Sequence, residues 1–221
     1  MSGQKFTICV VGGTGAEGGG LALRWANAGH RVIIGSRDAA KAEAAASELN
    51  KLLDTPTIRG TSSVAGANDA DIVVLAVPYA AQQKTATELH GALAGKILVD
   101  VTVPLVPPKV ARVQLPDMDS CVVALQSELG DEVRVVSAFQ NVSAHKLRDL
   151  TYEIACDVLV TADDKDARSI VIGLANDAGL RGIDAGPLAN SVVAEALTSV
   201  LIHINRVYKI PDAGIRMTGL P

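Results

Sequence analysis

The chain has 221 residues, a formal net charge of −4, 48% hydrophobic and 20% charged residues. This is a folded composition, enough for one large α/β domain or for a nucleotide-binding domain with a smaller companion, and it excludes a disordered chain. No Lys/Arg block supplies the basic face that nucleic-acid binding needs, and with only 3% aromatics the core must be built from Val, Ile, Leu and Ala.

The elements are read in chain order. Phe6 to Val11 is a buried strand that ends in glycines, and Glu17 to Ala28 is a helix stopped by Gly29. Arg31 to Ile34 is a second strand. Asp38 caps a helix that runs to about Leu53, and Thr57 to Arg59 is a short third strand. Asp71 to Val77 is the clearest strand and Pro78 ends it. A helix from Ala80 to Leu93 and a strand from Lys96 to Val101 follow. Pro104, Pro107 and Pro108 impose a loop. Then come a helix from Asp119 to Leu129, a strand from Val133 to Ala138, a helix near His145, and a strand from Asp157 to Thr161. A helix from Lys165 to Ala178, a strand from Arg181 to Asp184, and a long helix from Pro187 to Tyr208 complete the chain. The alternation predicts a Rossmann-type doubly wound, mostly parallel sheet over residues 1–140, with a smaller C-terminal α/β portion over 141–221 completing the substrate cleft.

Cys9, Cys121 and Cys156 lie far apart in apolar stretches without a CxxC pair, so buried reduced thiols are expected rather than a zinc site. The first residues lack the apolar region of a signal peptide. The stretch from Ser191 to Ile204 is interrupted by Glu195 and reads as too short for a bilayer. A soluble cytoplasmic protein without nucleic-acid, membrane or metal partners is expected.

The chemistry concentrates in the turn after the first strand. Gly13, Thr14, Gly15, Ala16, Glu17 and Gly18 form a G-x-G-x-x-G loop between a strand and a helix. Gly13 is expected to make the sharp turn, Gly15 to let a pyrophosphate approach the backbone, and Gly18 to let the helix lie close to the sheet. Free N–H groups at the helix start would face the phosphates. Gly19 and Gly20 extend the run beyond what the turn needs, which implies close approach of something. Where an NAD protein usually carries Asp or Glu, the second strand ends in Ser36 and Arg37, with Lys41 one turn on. Arg37 can hold a 2′-phosphate with a planar fork, pointing to NADP. The alternative is a solvated Arg37/Lys41 face with Asp38 on the ribose.

Val77, Pro78 and Tyr79 stand at the end of the fourth strand, by the switch point where ligands bind. Tyr79 either covers the ligand or is a core aromatic. The segment Ser137 to Val142, with Gln140 and Asn141, is expected to close the same crevice. His145 reads first as a cap or surface residue. No nucleophile elbow or spaced carboxylate pair is present, so no catalytic side chain is assigned.

These blocks carry a family resemblance over almost the full length. Gly12-Gly13-Thr14-Gly15, Gly35-Ser36-Arg37, Lys41, Val77-Pro78-Tyr79, Val135 to Ala138, Asp184 to Leu188 and Asn190-Ser191 together resemble the NADPH-dependent coenzyme F420 reductases. The resemblance implies hydride transfer between nicotinamide C4 of NADP(H) and C5 of the deazaflavin coenzyme F420. It implies that Thr14, Ser36, Arg37 and Lys41 hold the 2′-phosphate end, and that Val103, Val142 and Ala144 approach the nicotinamide. Asn141, Leu188 and Asn190 are expected against the second substrate. The chain departs from archaeal members at Gln140, where they carry His, and at Val192, where they carry Arg. Reduction of a flavin or another acceptor, and a non-catalytic NADP(H) sensor, are the competing readings. The long last helix completes the pocket, forms a homodimer contact, or simply packs on the sheet.

Overall fold

The computed structural model describes residues 3–220; Met1 and Ser2, where the leader-free N-terminus was expected to begin, lie outside the described residues. Six strands form one parallel sheet in the order β3-β2-β1-β4-β5-β6. They are β1 (Thr7–Val11), β2 (Arg31–Ser36), β3 (Ile58–Ser62), β4 (Ile72–Leu75), β5 (Ile97–Asp100) and β6 (Arg134–Ser137). The order reverses between β1 and β4, which opens the expected crevice beyond their carboxyl ends. The helices that cross between them are α1 (Ala16–Asn27), α2 (Ala39–Asn50), α3 (Ser63–Asp69), α4 (Gln82–Leu93) and α5 (Cys121–Leu129).

Strands β1 and β4 are buried on both faces, which is why they read as unbroken apolar runs. Side-chain caps set several helix starts. Lys41 N–H donates to Asp38 Oδ1 (3.2 Å), Ala65 N–H to Ser62 Oγ (3.3 Å), and Val123 N–H to Ser120 Oγ (3.1 Å). Helix α3 was not expected: its sequence, SVAGAND, is short and small-residued, so it shows no helical apolar stripe. Its cap is Ser62, because β3 runs three residues further than Arg59.

The C-terminal portion adds β7 (Asp157–Val160), α6 (Lys165–Asp177) and β8 (Arg181–Asp184), a second parallel pair joined to β6 by an antiparallel bridge between Ser137 and Thr161. One apolar cluster runs from Ile8 and Trp25 through Phe139 to Val158 and Leu174, so this portion shares the core under the main sheet. Trp25 seals the joint: its ring meets Phe139 edge-on at 5.7 Å and its Nε1–H donates to the Leu174 carbonyl (2.8 Å).

Helix α7 (Ser191–Tyr208) follows a 3-10 turn at Leu188–Asn190. The expectation that this stretch is too short for a bilayer is corrected: Leu188–Tyr208 spans 21 residues and is long and apolar enough by composition. Glu195 within it is buried and accepts from Ser120 Oγ (2.6 Å) and Cys121 N–H (2.9 Å), which fastens α7 to the start of α5. The helix expected near His145 is a single 3-10 turn, Ala144–Lys146.

Candidate functional site

The glycine turn is built as a cradle, with one reassignment. The sharp turn falls on Gly12, whose φ is +84°, and a Cβ there would strike the Ala76 carbonyl. Gly13 is needed for packing instead, since a Cβ would lie 2.7 Å from Ile34 Cδ1. At Gly15 a Cβ would meet only the Gly12 carbonyl (3.3 Å), so the side toward the crevice is open. Gly15 is also the N-cap of α1 and offers no side chain, which leaves the first N–H groups free for an anion. Gly18 lies against Ala76 Cβ (3.0 Å), as close helix–sheet packing requires.

Gly19 and Gly20 answer to the chain itself. A Cβ on Gly20 would overlap Leu147 Cβ, and one on Gly19 would lie 2.8 Å from Arg148 Nη2. The close approach implied by the glycine run is therefore made by the segment after the Ala144 turn.

Two clefts flank this turn. The outer one, with about 260 Å³ of solvent-accessible space, brings together Thr14, Gly15, Ser36, Arg37, Val77 and Pro78. Ser63 and Thr85 also line it: Ser63 had no sequence signal because the third strand was read too short and α3 was missed, and Thr85 lies on α4, whose side facing the cleft the sequence did not mark. Arg37 is exposed and has no ion-pair partner among the described residues. Asp38 is occupied in capping α2 and lines neither cleft, which disfavours it as the ribose reader. Lys41 stands outside the cleft, 77% exposed and 4.0 Å from Asp38 Oδ2. Tyr79 is not brought to either cleft. It packs on the apolar cluster around Cys121 and Leu125, and burial raises its phenol, helped by Cys121, Asp117 and Glu195.

The inner cleft, with about 330 Å³ of solvent-accessible space, gathers Glu17, Val103, Gln140, Asn141, Val142 and Ala144 from three separate segments. Leu105, His145, Thr198, Leu201 and Asn205 complete its walls, so α7 supplies one side. Phe139 makes the turn into this cleft with φ +73°, a left-handed conformation that its burial against Trp25 holds in place. Gln140 Nε2–H donates to the Asp100 carbonyl and Asn141 Nδ2–H to the Asp157 carbonyl (both 2.7 Å). Gln140 Oε1 and Asn141 Oδ1 are left shielded and without partners. Leu188 and Asn190 are not brought to the cleft: Leu188 is 2% exposed in the core, and Asn190 is exposed and donates to the Ala185 carbonyl (2.7 Å).

Behind the inner cleft sits a polar group that sequence reading missed. Asp100 is buried at the end of β5, where its carboxylate accepts from Gln82 Nε2–H and from Thr102 N–H (2.8 Å). Burial pushes its carboxyl up to about 6 against those hydrogen bonds. The group ties together the ends of β4, β5 and β6. Among the described residues no cluster of three His, Cys, Asp or Glu side chains is placed to hold a metal, and all three cysteines are buried and free.

An uncapped helix start beside an open glycine, with an unpaired Arg at the end of the next strand, defines a Rossmann-type dinucleotide-binding protein. Residues 7–104 match the family model described as NADP oxidoreductase, coenzyme F420-dependent. The chain is 40% identical to the F420-dependent NADP reductase of Methanothermobacter marburgensis, over 97% of this chain and 99% of that one. It is 41% identical to the F420-dependent NADP reductase of Methanocaldococcus jannaschii, over 96% and 98%. A solved structure from Arthrobacter sp. FB24, provisionally described as an F420-dependent NADP-reductase, superposes with a TM-score of 0.79 at 27% identity, covering 96% of this chain and 99% of that one. The chain belongs to the F420-dependent NADP oxidoreductase family.

Proposed function

We propose that the protein transfers a hydride between NADP(H) and the deazaflavin coenzyme F420. The observation that carries the reading is the pairing of Ser36 and Arg37 with the glycine turn in one cleft, in a chain about 40% identical to F420-dependent NADP reductases. Thr14, Gly15 and the N–H groups of Ala16, Glu17 and Gly18 hold the pyrophosphate, and Ser36 and Arg37 hold the 2′-phosphate, with Lys41 at longer range. The apolar side chains Val103, Val142 and Ala144 form the wall for the nicotinamide and exclude water from the exchange. The reaction is carried mainly by holding two rings in register.

Residues 1–140 are the NADP-binding domain in this reading, and residues 141–221 complete the second substrate's cleft through Asn141 and α7. The protein acts as a cytoplasmic homodimer. The supporting observation for the dimer is the row Val193, Val200 and Val207, exposed at intervals of seven on α7.

Mixing the protein with NADPH and oxidised F420 tests the reading. Loss of the oxidised deazaflavin absorbance is expected. An unchanged spectrum would sink it, and turnover of free FMN or FAD in its place would make the protein a flavin reductase.

A further inference from the structure

Glu17 is the second residue of α1 and the only acidic residue of its first turn. Its Oε1 is shielded from water and has no hydrogen-bond partner. The inner cleft that it lines carries the apolar Val103, Leu105, Val142 and Ala144, with the polar Ser143, His145, Thr198 and Asn205 elsewhere on its walls. The N-terminal dipole of α1 favours the charged form. Desolvation outweighs it and pushes the carboxyl up to about 8. Burial therefore favours the protonated form of Glu17, a residue of the cleft assigned to the reacting rings.

The reaction has an unassigned proton. Breaking the C4–H bond of NADPH with its electron pair and forming C5–H on the deazaflavin reduces that ring by two electrons and oxidises the nicotinamide to its cation. The displaced pair collects at N1 of the deazaflavin, which takes up one proton to complete the reduced form.

We propose that Glu17 delivers this proton, and removes it in the reverse direction. The inference rests on the F420 reading above. In the step the Glu17 O–H bond breaks, N1–H forms, and the carboxylate regains its proton from water. A group that titrates near the working pH suits both directions of such a transfer.

The neighbours of Glu17 leave few alternatives. From the Ala144 turn, His145 lines the same cleft, and it is the other titratable lining residue among the described ones. Lys146 follows on that turn and faces the Tyr152 ring, 4.8 Å away. Arg148 reaches the flank of the first turn at the Gly15 carbonyl (3.4 Å). On the remaining sides α7 presents Thr198 and Asn205, and Gln140 has its amide nitrogen committed to the Asp100 carbonyl.

Two measurements test the assignment. Calorimetric titration of NADPH in buffers of different ionisation enthalpy should show proton uptake by the wild type near pH 8, because bound phosphates raise the Glu17 carboxyl further. Glu17→Gln should show none. In turnover with F420, the wild-type kcat for NADPH oxidation should fall above pH ~8. Glu17→Gln and Glu17→Leu should bind NADPH, lose about a hundredfold in kcat at pH 7, and lack that alkaline limb. His145→Asn should keep the limb. Equal rates and pH profiles in Glu17→Gln and wild type would overturn the proposal. So would loss of proton uptake with kcat unchanged, since the carboxyl would then only sense the phosphates. Failure of the wild type to bleach F420 overturns the acceptor reading itself, and is thereby distinguished from failure of the Glu17 role.

Discussion

Arg148 Nη2 lies 3.4 Å from the carbonyl oxygen of Gly15, across the first turn of α1, and the adjacent Leu147 is packed where a side chain on Gly20 would be. The phosphate-facing turn is thus braced by a segment about 130 residues further along the chain. Gly20→Ala would drive a methyl group into Leu147, and overpacking of this kind costs about 1–3 kcal/mol. Urea unfolding should show that loss, larger than for Gly91→Ala, where nothing lies within 4 Å of the added Cβ.

Arg37 is expected to set the choice of cofactor. It is free of ion pairs among the described residues and lines the outer cleft with Ser36. A charge-assisted hydrogen bond is worth about 1.5–3 kcal/mol. Arg37→Ala should therefore weaken NADPH by about 10- to 100-fold while NADH changes little. Fluorescence titration of both nucleotides checks this, and equal losses would remove Arg37 from the 2′-phosphate site.

The attachment of Arg216 and Met217, in the segment after α7, should be acid-sensitive through Asp157 of β7. Its side chain is fully buried and accepts two hydrogen bonds from Arg181 (2.8 and 2.6 Å), one from Arg216 (3.2 Å) and one from Met217 N–H (2.6 Å). These contacts, led by Arg181, hold its carboxyl down at about 2. A depressed carboxylate contributes stability that is fully present above its unfolded value of 3.8 and is lost as pH falls through about 2. Asp157→Asn should lower the melting temperature at neutral pH and show a smaller further loss between pH 4 and 2.

Asp100 has the opposite sign. Its carboxyl is raised to about 6, so the folded protein holds a proton that the unfolded chain releases above about 3.8. This group's contribution is greatest below pH 3.8 and declines as pH rises through 6. Asp100→Asn should remove that part of the slope in chemical unfolding measured between pH 4 and 7; an unchanged slope would show that the carboxyl does not titrate there.

Val200→Glu tests the dimer seam. Val200 is 44% exposed at the centre of the row on α7, so a charge there should leave the fold intact and leave single chains in light scattering. A wild type that is already a single chain would refute the dimer.

Most of the fold was legible because its signals are local. Apolar runs, caps such as Asp38 and the glycine spacing constrain backbone shape within a few residues, and β1, α1 and β2 follow them closely. Ser36 and Arg37 could be placed because a strand's end is known once the strand is. Helix α3 escaped because seven small and polar residues carry no periodic signal.

By itself the sequence determined a dinucleotide turn and the charge at the end of the next strand. Only the tertiary structure decided that Gly12 makes that turn, that Leu147 requires Gly20, and that Leu188 is core rather than cleft. It also decided that Glu17 lines one cleft with Val103, Val142 and Ala144 and that its Oε1 has no partner. Hydrogen-bond geometry along the backbone is written in neighbouring residues. Desolvation of a carboxyl depends on which distant segments close over it, and no local pattern records that.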